Sequence, residues 1–491
     1  RLWGGPVAAH QTALLACVAL NVFAAGWVLF RWTGSLVGAV AAGLLFALSP
    51  FHQENFEHLQ SLGTAYLPIS LLALERFGAT GAARWAALGG VALLLQLLSG
   101  QYLAYFALVI WGIGAALVLA FGRSGRSRRD VLRDVLLLLG ATALVAAAAL
   151  PFALPYLRLL EGGELPQATP ARVMWLSSVP TLLSYVHGHG VGKPVPLSPA
   201  TWFLVLVGAV ALAREGRTGR LRLAMIAGVG VVGALVSLGP PPYGTWVHPA
   251  IGAVVPGFGT MREPWRASLI PSFASALVAG FGAAAFSRRF AWKGVVVAMA
   301  LVASALAWSW QAPLPLRAVA LGRNLPPAYA FLARCGAGDP LLELPAHLPL
   351  QSYLDAPRTL YSIVHGLPLL NGRSGYPPRD YQARMELAVT LPDAHAWKEL
   401  RKRTGVRWIL VHCEGAPRGS IARLCGGRAF GPRSPARRFP GAVLYDLGPA
   451  PNPPRPLRHR VPPPPGCPPP ARLGPMGADA VPAPEASPLR P

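Results

Sequence analysis

The stretch "WAALGGVALLLQLLSGQYLAYFALVIWGIGAALVLAF", residues 85–121, runs for thirty-seven residues without a charge. A membrane-spanning helix needs roughly 20 apolar residues. The tract therefore reads as two spans, turned at "LSGQYLAY" (98–105). An α-helical polytopic membrane protein is expected. Composition agrees, at 53% hydrophobic and only 13% charged, where soluble domains carry about a quarter. The net charge of +24 does not point to nucleic acid. Of 44 basic residues only Lys193, Lys293, Lys398 and Lys402 are lysines. With abundant Ala, Gly and Pro this is the pattern of a high-GC coding bias. Nowhere do basic residues interleave with stacking aromatics, so no nucleic-acid partner is expected.

Outward from this tract, nearly charge-free spans fall at about 8–30, 34–51, 60–75, 85–99, 102–121, 135–157, 200–213, 223–239, 267–286 and 294–312. About ten transmembrane helices are expected. The third is short, carries Pro68 and reads as re-entrant, which requires protein or water around its backbone. Basic residues alternate along the connections. Arg31, "ERFGATGAAR" (75–84), "RSGRSRRDVLR" (123–133), "REGRTGRLR" (214–222) and "RRFAWK" (288–293) together hold fifteen Lys or Arg. Positive charge stays on the cytoplasmic side, so these five face in. "HQENFEH" (52–58), the 158–199 loop and the 240–266 loop then face out, as do both chain ends. The expected location is a bacterial inner membrane. The chain begins at Arg1 with no signal peptide before its first helix, and is expected to lack its native N-terminus.

After residue 313 the texture changes. "DPLLELPAH" (339–347), "GVRWILVHC" (405–413) and "GAVLYDL" (441–447) read as strands, and "DAHAWKELRKRTG" (393–405) as a helix stopped by Gly405. Residues 1–312 are expected to form the transmembrane domain and 313–448 a small extracytoplasmic α/β domain. Residues 449–491 are Pro-rich and expected to be disordered. Of the five Cys, Cys17 lies in a helix and Cys335, Cys413 and Cys425 in the outer domain, where Cys413 with Cys425 is the plausible disulfide.

Three polar constellations interrupt the apolar texture. In "HQENFEHLQ" (52–60), His52, Glu54, Glu57, His58 and Gln60 could supply a general base or metal ligands. In a helix, Glu54, Glu57 and His58 would share a face. The alternative is a solvated turn. In "GFGTMREPWRASLIPSF" (257–273), Arg262 and Arg266 stand on the side where basic residues are disfavoured. Guanidinium groups there suit a lipid-borne phosphate; the alternatives are headgroup contact or pairing with Glu263. His187 and His189 of "HGHG" read as a flexible loop. "RTLYSIVHGLPLLNGRSGYPPRDY" (358–381) could cap the membrane site, bind acceptor sugar, or pack the domain. The spans themselves carry no Asp, Glu, Lys or Arg apart from Glu75 at one end, which argues against an ion-coupled transporter.

"GLLFALSPFHQENFEHLQSLGTAYLPISLLALERF" (43–77) resembles a signature of bacterial membrane glycosyltransferases of the GT-C type. Ser49, Pro50, His58, Leu59, Gln60, Pro68, Leu74, Glu75 and Arg76 match it. Where many relatives carry a further His, this chain has Asn55. "VPGFGTMREPWRAS" is similar to a second family segment through Pro256, Gly257, Phe258, Arg262, Pro264 and Arg266. "YSIVHGLPLLNGRSGYPPRDY" is similar to a third through His365, Pro368, Asn371, Gly372, Ser374, Gly375 and Pro378. The resemblance implies transfer of a sugar from a polyprenyl-phosphate carrier to a glycan, lipid or protein acceptor on the outer face. Glu54, Glu57 and His58 are the candidate catalytic residues, and Gln60, Tyr102, Arg262 and Arg266 the candidate substrate contacts. A divalent ion is optional. The acid that the family places in its first outer loop is expected upstream of Arg1. A lipid-linked-sugar transporter and a non-catalytic scaffold of the same fold are the rival readings.

Overall fold

A computed structural model describes residues 5–56, 58–123, 125–161, 185, 197–239, 245–255, 258, 263–310, 319–372, 378, 380–414, 419–426, 436–449 and 467. They fall into two compact units, one made of the residues up to 310 and the other of those from 319 on.

The first unit is helical throughout. Its elements are α1 (Pro6–Thr33), α2 (Leu36–Ala47), α3 (Pro50–Glu54), α4 (Leu59–Leu62), α5 (Tyr66–Thr80), α6 (Ala83–Ser99), α7 (Gln101–Phe121), α8 (Arg128–Glu161), α9 (Pro199–Arg214), α10 (Gly216–Ser237), α11 (Val247–Val254) and α12 (Leu269–Ser309). Among the described residues six helical stretches are long and apolar enough to cross a membrane: Pro6–Thr33, Leu36–Glu54, Leu103–Phe121, Arg128–Tyr156, Gly216–Ser237 and Pro264–Ser309. The chain is a membrane protein. The expected count of ten spans does not carry over. α6 and α9 are apolar but only 17 and 16 residues long, and α5 has 15. The last two expected spans are two helices that meet at a kink at Ala291 (φ 49°, ψ −133°).

α12 forms the middle of the packing, burying Leu269, Phe273, Leu277 and Phe281 against α2, α9 and α10. Lipid tails are as apolar as leucine, so helices in a membrane cohere by close packing rather than by escape from water. The seam with α9 shows how close. A Cβ on Gly208 would stand 1.9 Å from the Val278 carbonyl oxygen, and one on Gly282 would stand 2.1 Å from that of Leu204.

The five basic connections gather at one end of this unit. Arg222 binds Glu75 at 2.9 Å and lies 3.9 Å from Glu215, which is 3.9 Å from Arg288. Arg288 donates to the Thr33 carbonyl, Arg133 to that of Gly81 and Arg217 to that of Phe121. Arg126 donates to the Val118 and Leu119 carbonyls at the end of α7, where a cation complements the helix dipole. Buried Asp134 takes Arg123 at 2.6 Å and Arg126 at 3.3 Å.

The second unit is a four-stranded sheet with helices. β1 (Leu341–Leu344) pairs parallel with β2 (Trp408–His412), and β4 (Ala442–Asp446) runs antiparallel to both β2 and β3 (Ala436–Phe439), giving the order β1-β2-β4-β3. Around it lie α13 (Pro327–Cys335), α14 (Ala356–Thr359), α15 (Ser362–His365), α16 (Tyr381–Val389), α17 (Ala394–Thr404) and α18 (Ser420–Cys425). Leu342, Leu344, Ile409, Val411 and Tyr445 pack one face with Met385 and Leu400; Leu341, Trp408, Leu410 and Leu444 pack the other with Tyr329 and Leu332. Cover on both faces explains why the central strands read as continuous apolar runs. α17 is capped by Asp393, whose side chain accepts from the amides of His395 and Ala396, and it ends at Gly405 with φ 69°. β3 is the strand the sequence hides. It is an edge strand carrying Arg437 and Arg438, the kind of charge that discourages edge pairing. Cys413–Cys425 is bridged. So is Cys335–Cys467, a bridge the sequence reading did not anticipate, which ties one residue of the Pro-rich tail to α13.

Candidate active site

Ser49 and Pro50 break the helical run after α2 and start the short α3. The side chain of His52 is fully buried. Its Nδ1 lies 2.8 Å from the Phe46 carbonyl oxygen, which can only accept, so Nδ1 carries the proton. Its Nε2 then accepts, with Thr64 Oγ1 at 2.9 Å and the Asn21 amide nitrogen at 3.3 Å. Asn21 also donates to the Leu62 carbonyl at 2.8 Å. Gln53 and Asn55 turn inward too, donating to the carbonyls of Leu48 and Phe51. Three of the seven polar residues of "HQENFEHLQ" thus stitch the segment to itself, to the end of α2 and to α1.

Asn21 stands twelve residues before Thr33 in α1, about 18 Å along the helix at ~1.5 Å per residue. The segment therefore meets α1 partway along that helix.

Glu54 and His58 remain half-buried and Gln60 exposed. The shared helical face does not form, because α3 ends at Glu54 and α4 begins at Leu59 with His58 at its cap. Glu57, Arg262, His187 and His189 lie outside the described residues, as does the side chain of Tyr102. The 98–105 turn is pressed onto this segment: a Cβ on Gly100 would stand 2.6 Å from the Gln60 carbonyl oxygen, and Gln96 donates to the Gly63 carbonyl at 2.6 Å.

The second motif arrives beside the first. The Trp265 ring lies 6.1 Å from that of Phe51, in a short 3-10 helix, Pro264–Ser268, that feeds α12. Arg266 Nε stands 2.9 Å from Glu263 Oε2, which also accepts from Trp265 Nε1 at 3.2 Å. The pairing alternative is therefore realised. Phe258 joins the 98–105 turn, with its ring 5.7 Å from Tyr105 and 5.0 Å from His248. His248 is a residue that sequence reasoning passed over; its Nε2 is buried with no hydrogen-bond partner among the described residues, and burial lowers its pKa. Ser49, Ser198, Thr201, Ser272, Ser275 and Ser309 line a small cavity between these elements. Among the described residues no three His, Cys, Asp or Glu come together as a metal site.

No family model matches the chain, and no curated protein matches it. Among solved structures, a cryo-EM structure of the arabinofuranosyltransferase AftD from Mycobacteria is similar over 91% of this chain, at 16% identity and TM-score 0.50. The fold is of the GT-C type. The chain spans 36% of the AftD chain. The archaeal oligosaccharyltransferase AglB from Archaeoglobus fulgidus, solved with an inhibitory peptide and a dolichol-phosphate, is matched over 82% of this chain and 58% of its own, at 11% identity and TM-score 0.39. A GT-C fold is what the motifs at 43–77 and 256–266 imply, and here those motifs are neighbours.

Proposed function

We propose that the chain is a membrane glycosyltransferase that moves a sugar from a polyprenyl-phosphate carrier to an acceptor on the outer face of the membrane. The observation that carries this reading is the meeting of the "HQENFEHLQ" and "REPWR" segments at the end of a GT-C-type unit remote from its five basic connections. By the positive-inside rule those connections face the cytoplasm. The two disulfides of the C-terminal unit suit an oxidising compartment outside it.

In this reading the acceptor hydroxyl oxygen attacks the anomeric carbon while the bond from that carbon to the carrier phosphate breaks. The electron pair leaves on the phosphate and the hydroxyl proton passes to a carboxylate. Arg262 and Arg266 hold the phosphate and stabilise its leaving charge, with Glu263 fixing the Arg266 guanidinium beside Trp265. Glu54, Glu57, His58, Gln60 and Tyr102 line the sugar or acceptor side.

The test is carrier binding by Arg262→Gln and Arg266→Gln variants in nanodiscs. Each is expected to weaken it by about 1.5–3 kcal/mol, the scale of a hydrogen bond to a charged group. Unchanged affinity in both would remove this turn from the site.

A further inference from the structure

The C-terminal unit holds a buried polar cluster that none of this chemistry uses. Glu343, on β1, is fully buried. Its Oε2 accepts from Tyr329 at 2.7 Å and stands 2.7 Å from His412 Nε2. Asn371 fixes its backbone from the open edge of β1, accepting from the Glu343 amide at 3.1 Å and donating to its carbonyl at 2.9 Å. Glu343 Oε1 has no hydrogen-bond partner among the described residues. Nearby His365, 5% exposed, accepts the Leu367 amide on Nδ1 at 3.0 Å. The proton of the neutral ring therefore sits on Nε2, and that donor too is buried without a partner among the described residues. Burial lowers the pKa of this imidazole, against the opposing effect of the Glu343 carboxylate, and Tyr329 links the two groups, its hydroxyl bonded to Glu343 and its ring stacked at 6.0 Å from that of His365.

An orphaned acceptor and an orphaned donor thus both neighbour Tyr329, and a ligand carrying several hydroxyl groups answers both. The half-buried Tyr361 ring, stacked on Tyr329 at 4.2 Å, adds an apolar face. His412 side chain is a quarter exposed, so the cluster reaches the surface there, past the carboxyl ends of the parallel strands β1 and β2, where open α/β sheets bind ligands. The carboxylate disfavours an anion, and among the described residues the donors do not group as metal ligands.

We propose that this cluster binds a neutral saccharide, whose hydroxyl groups donate to Glu343 Oε1 and accept from His365 Nε2, with the sugar ring against Tyr361. The site deepens the glycosyl-transfer reading by naming a saccharide acceptor, and to that extent rests on it; binding itself is measured without transfer. Full chain in nanodiscs, labelled with ¹⁵N-histidine, is titrated with methyl glycosides of mannose, galactose and arabinofuranose at millimolar concentration, with inorganic phosphate as the anionic comparison. At least one glycoside is expected to shift the His365 and His412 ring nitrogens saturably, and phosphate is not. Glu343→Gln and His365→Gln are expected to bind about tenfold more weakly (~1.4 kcal/mol), and Tyr361→Ala keeps the test open if the buried variants fail to fold. No saturable shift with any glycoside, equal shifts with phosphate, or unweakened binding in folded variants overturns the proposal. Loss of transfer in an enzyme assay with saccharide binding intact counts against the transferase reading alone.

Discussion

Glu75 is a buried acid in α5, and its surroundings say what it does. It is 2% exposed. One oxygen accepts from Arg222 Nε and Nη2 at 3.1 and 2.9 Å, the other from Trp32 at 3.3 Å, and the Arg222 guanidinium lies over the Trp32 ring. Removing one partner of such a pair strands a buried charge and costs about 3–5 kcal/mol, whereas replacing both by apolar groups costs much less. Glu75→Gln is expected to lower the unfolding temperature in detergent clearly, and Glu75→Gln with Arg222→Met to recover most of it. Equal losses in the two would mean the pair is not coupled. His52 carries the complementary lesson. As a residue type it read as one more group that could supply a base or a ligand, beside the candidate His58. Only its partners Phe46, Asn21 and Thr64, as far as 31 positions away, turn it into a neutral clasp. No local pattern marks a histidine whose task is to join two helices.

At the scale of elements, periodicity and caps were legible and interruptions were not. Gly405 and Asp393 bound α17 as the residue types predict. By contrast, the split of "SPFHQENFEHLQSLG" into α3 and α4 depends on Asn55 leaving the helical path after a turn and a half, which composition does not reveal. The edge strand β3 was invisible because its arginines break the apolar run. The disulfides allow a direct test of how the C-terminal unit is closed. Cys413–Cys425 spans 12 positions and Cys335–Cys467 spans 132. Loop-closure entropy grows with that length, giving about 3 and about 5 kcal/mol respectively. Cys335→Ser is therefore expected to destabilise the unit more than Cys413→Ser, read by limited proteolysis of the membrane-embedded chain across a temperature series. The reverse order would mean that the long bridge closes little of the unfolded ensemble.

For the molecule as a whole, the alternation of basic connections was the most informative signal in the sequence, and in three dimensions those connections converge on one end. Membrane orientation follows from it as a prediction. In a Cys17→Ser background, a cysteine placed at Ser127 is expected to resist an impermeant maleimide in intact cells, while one at Glu386 reacts. Equal labelling would overturn the outer-face site together with the topology. The clasp of the candidate site on α1 was less legible: hydropathy places the ends of helices, but not a segment that meets α1 partway along. The basic end has one more consequence. Arg128, Arg129, Arg214 and Arg289 there are exposed, and each basic side chain near an anionic leaflet gains ~1 kcal/mol. The phospholipid composition of the bilayer thereby becomes part of what holds this chain upright: a zwitterionic membrane would surrender that anchoring, and an anionic one would supply it from one side only.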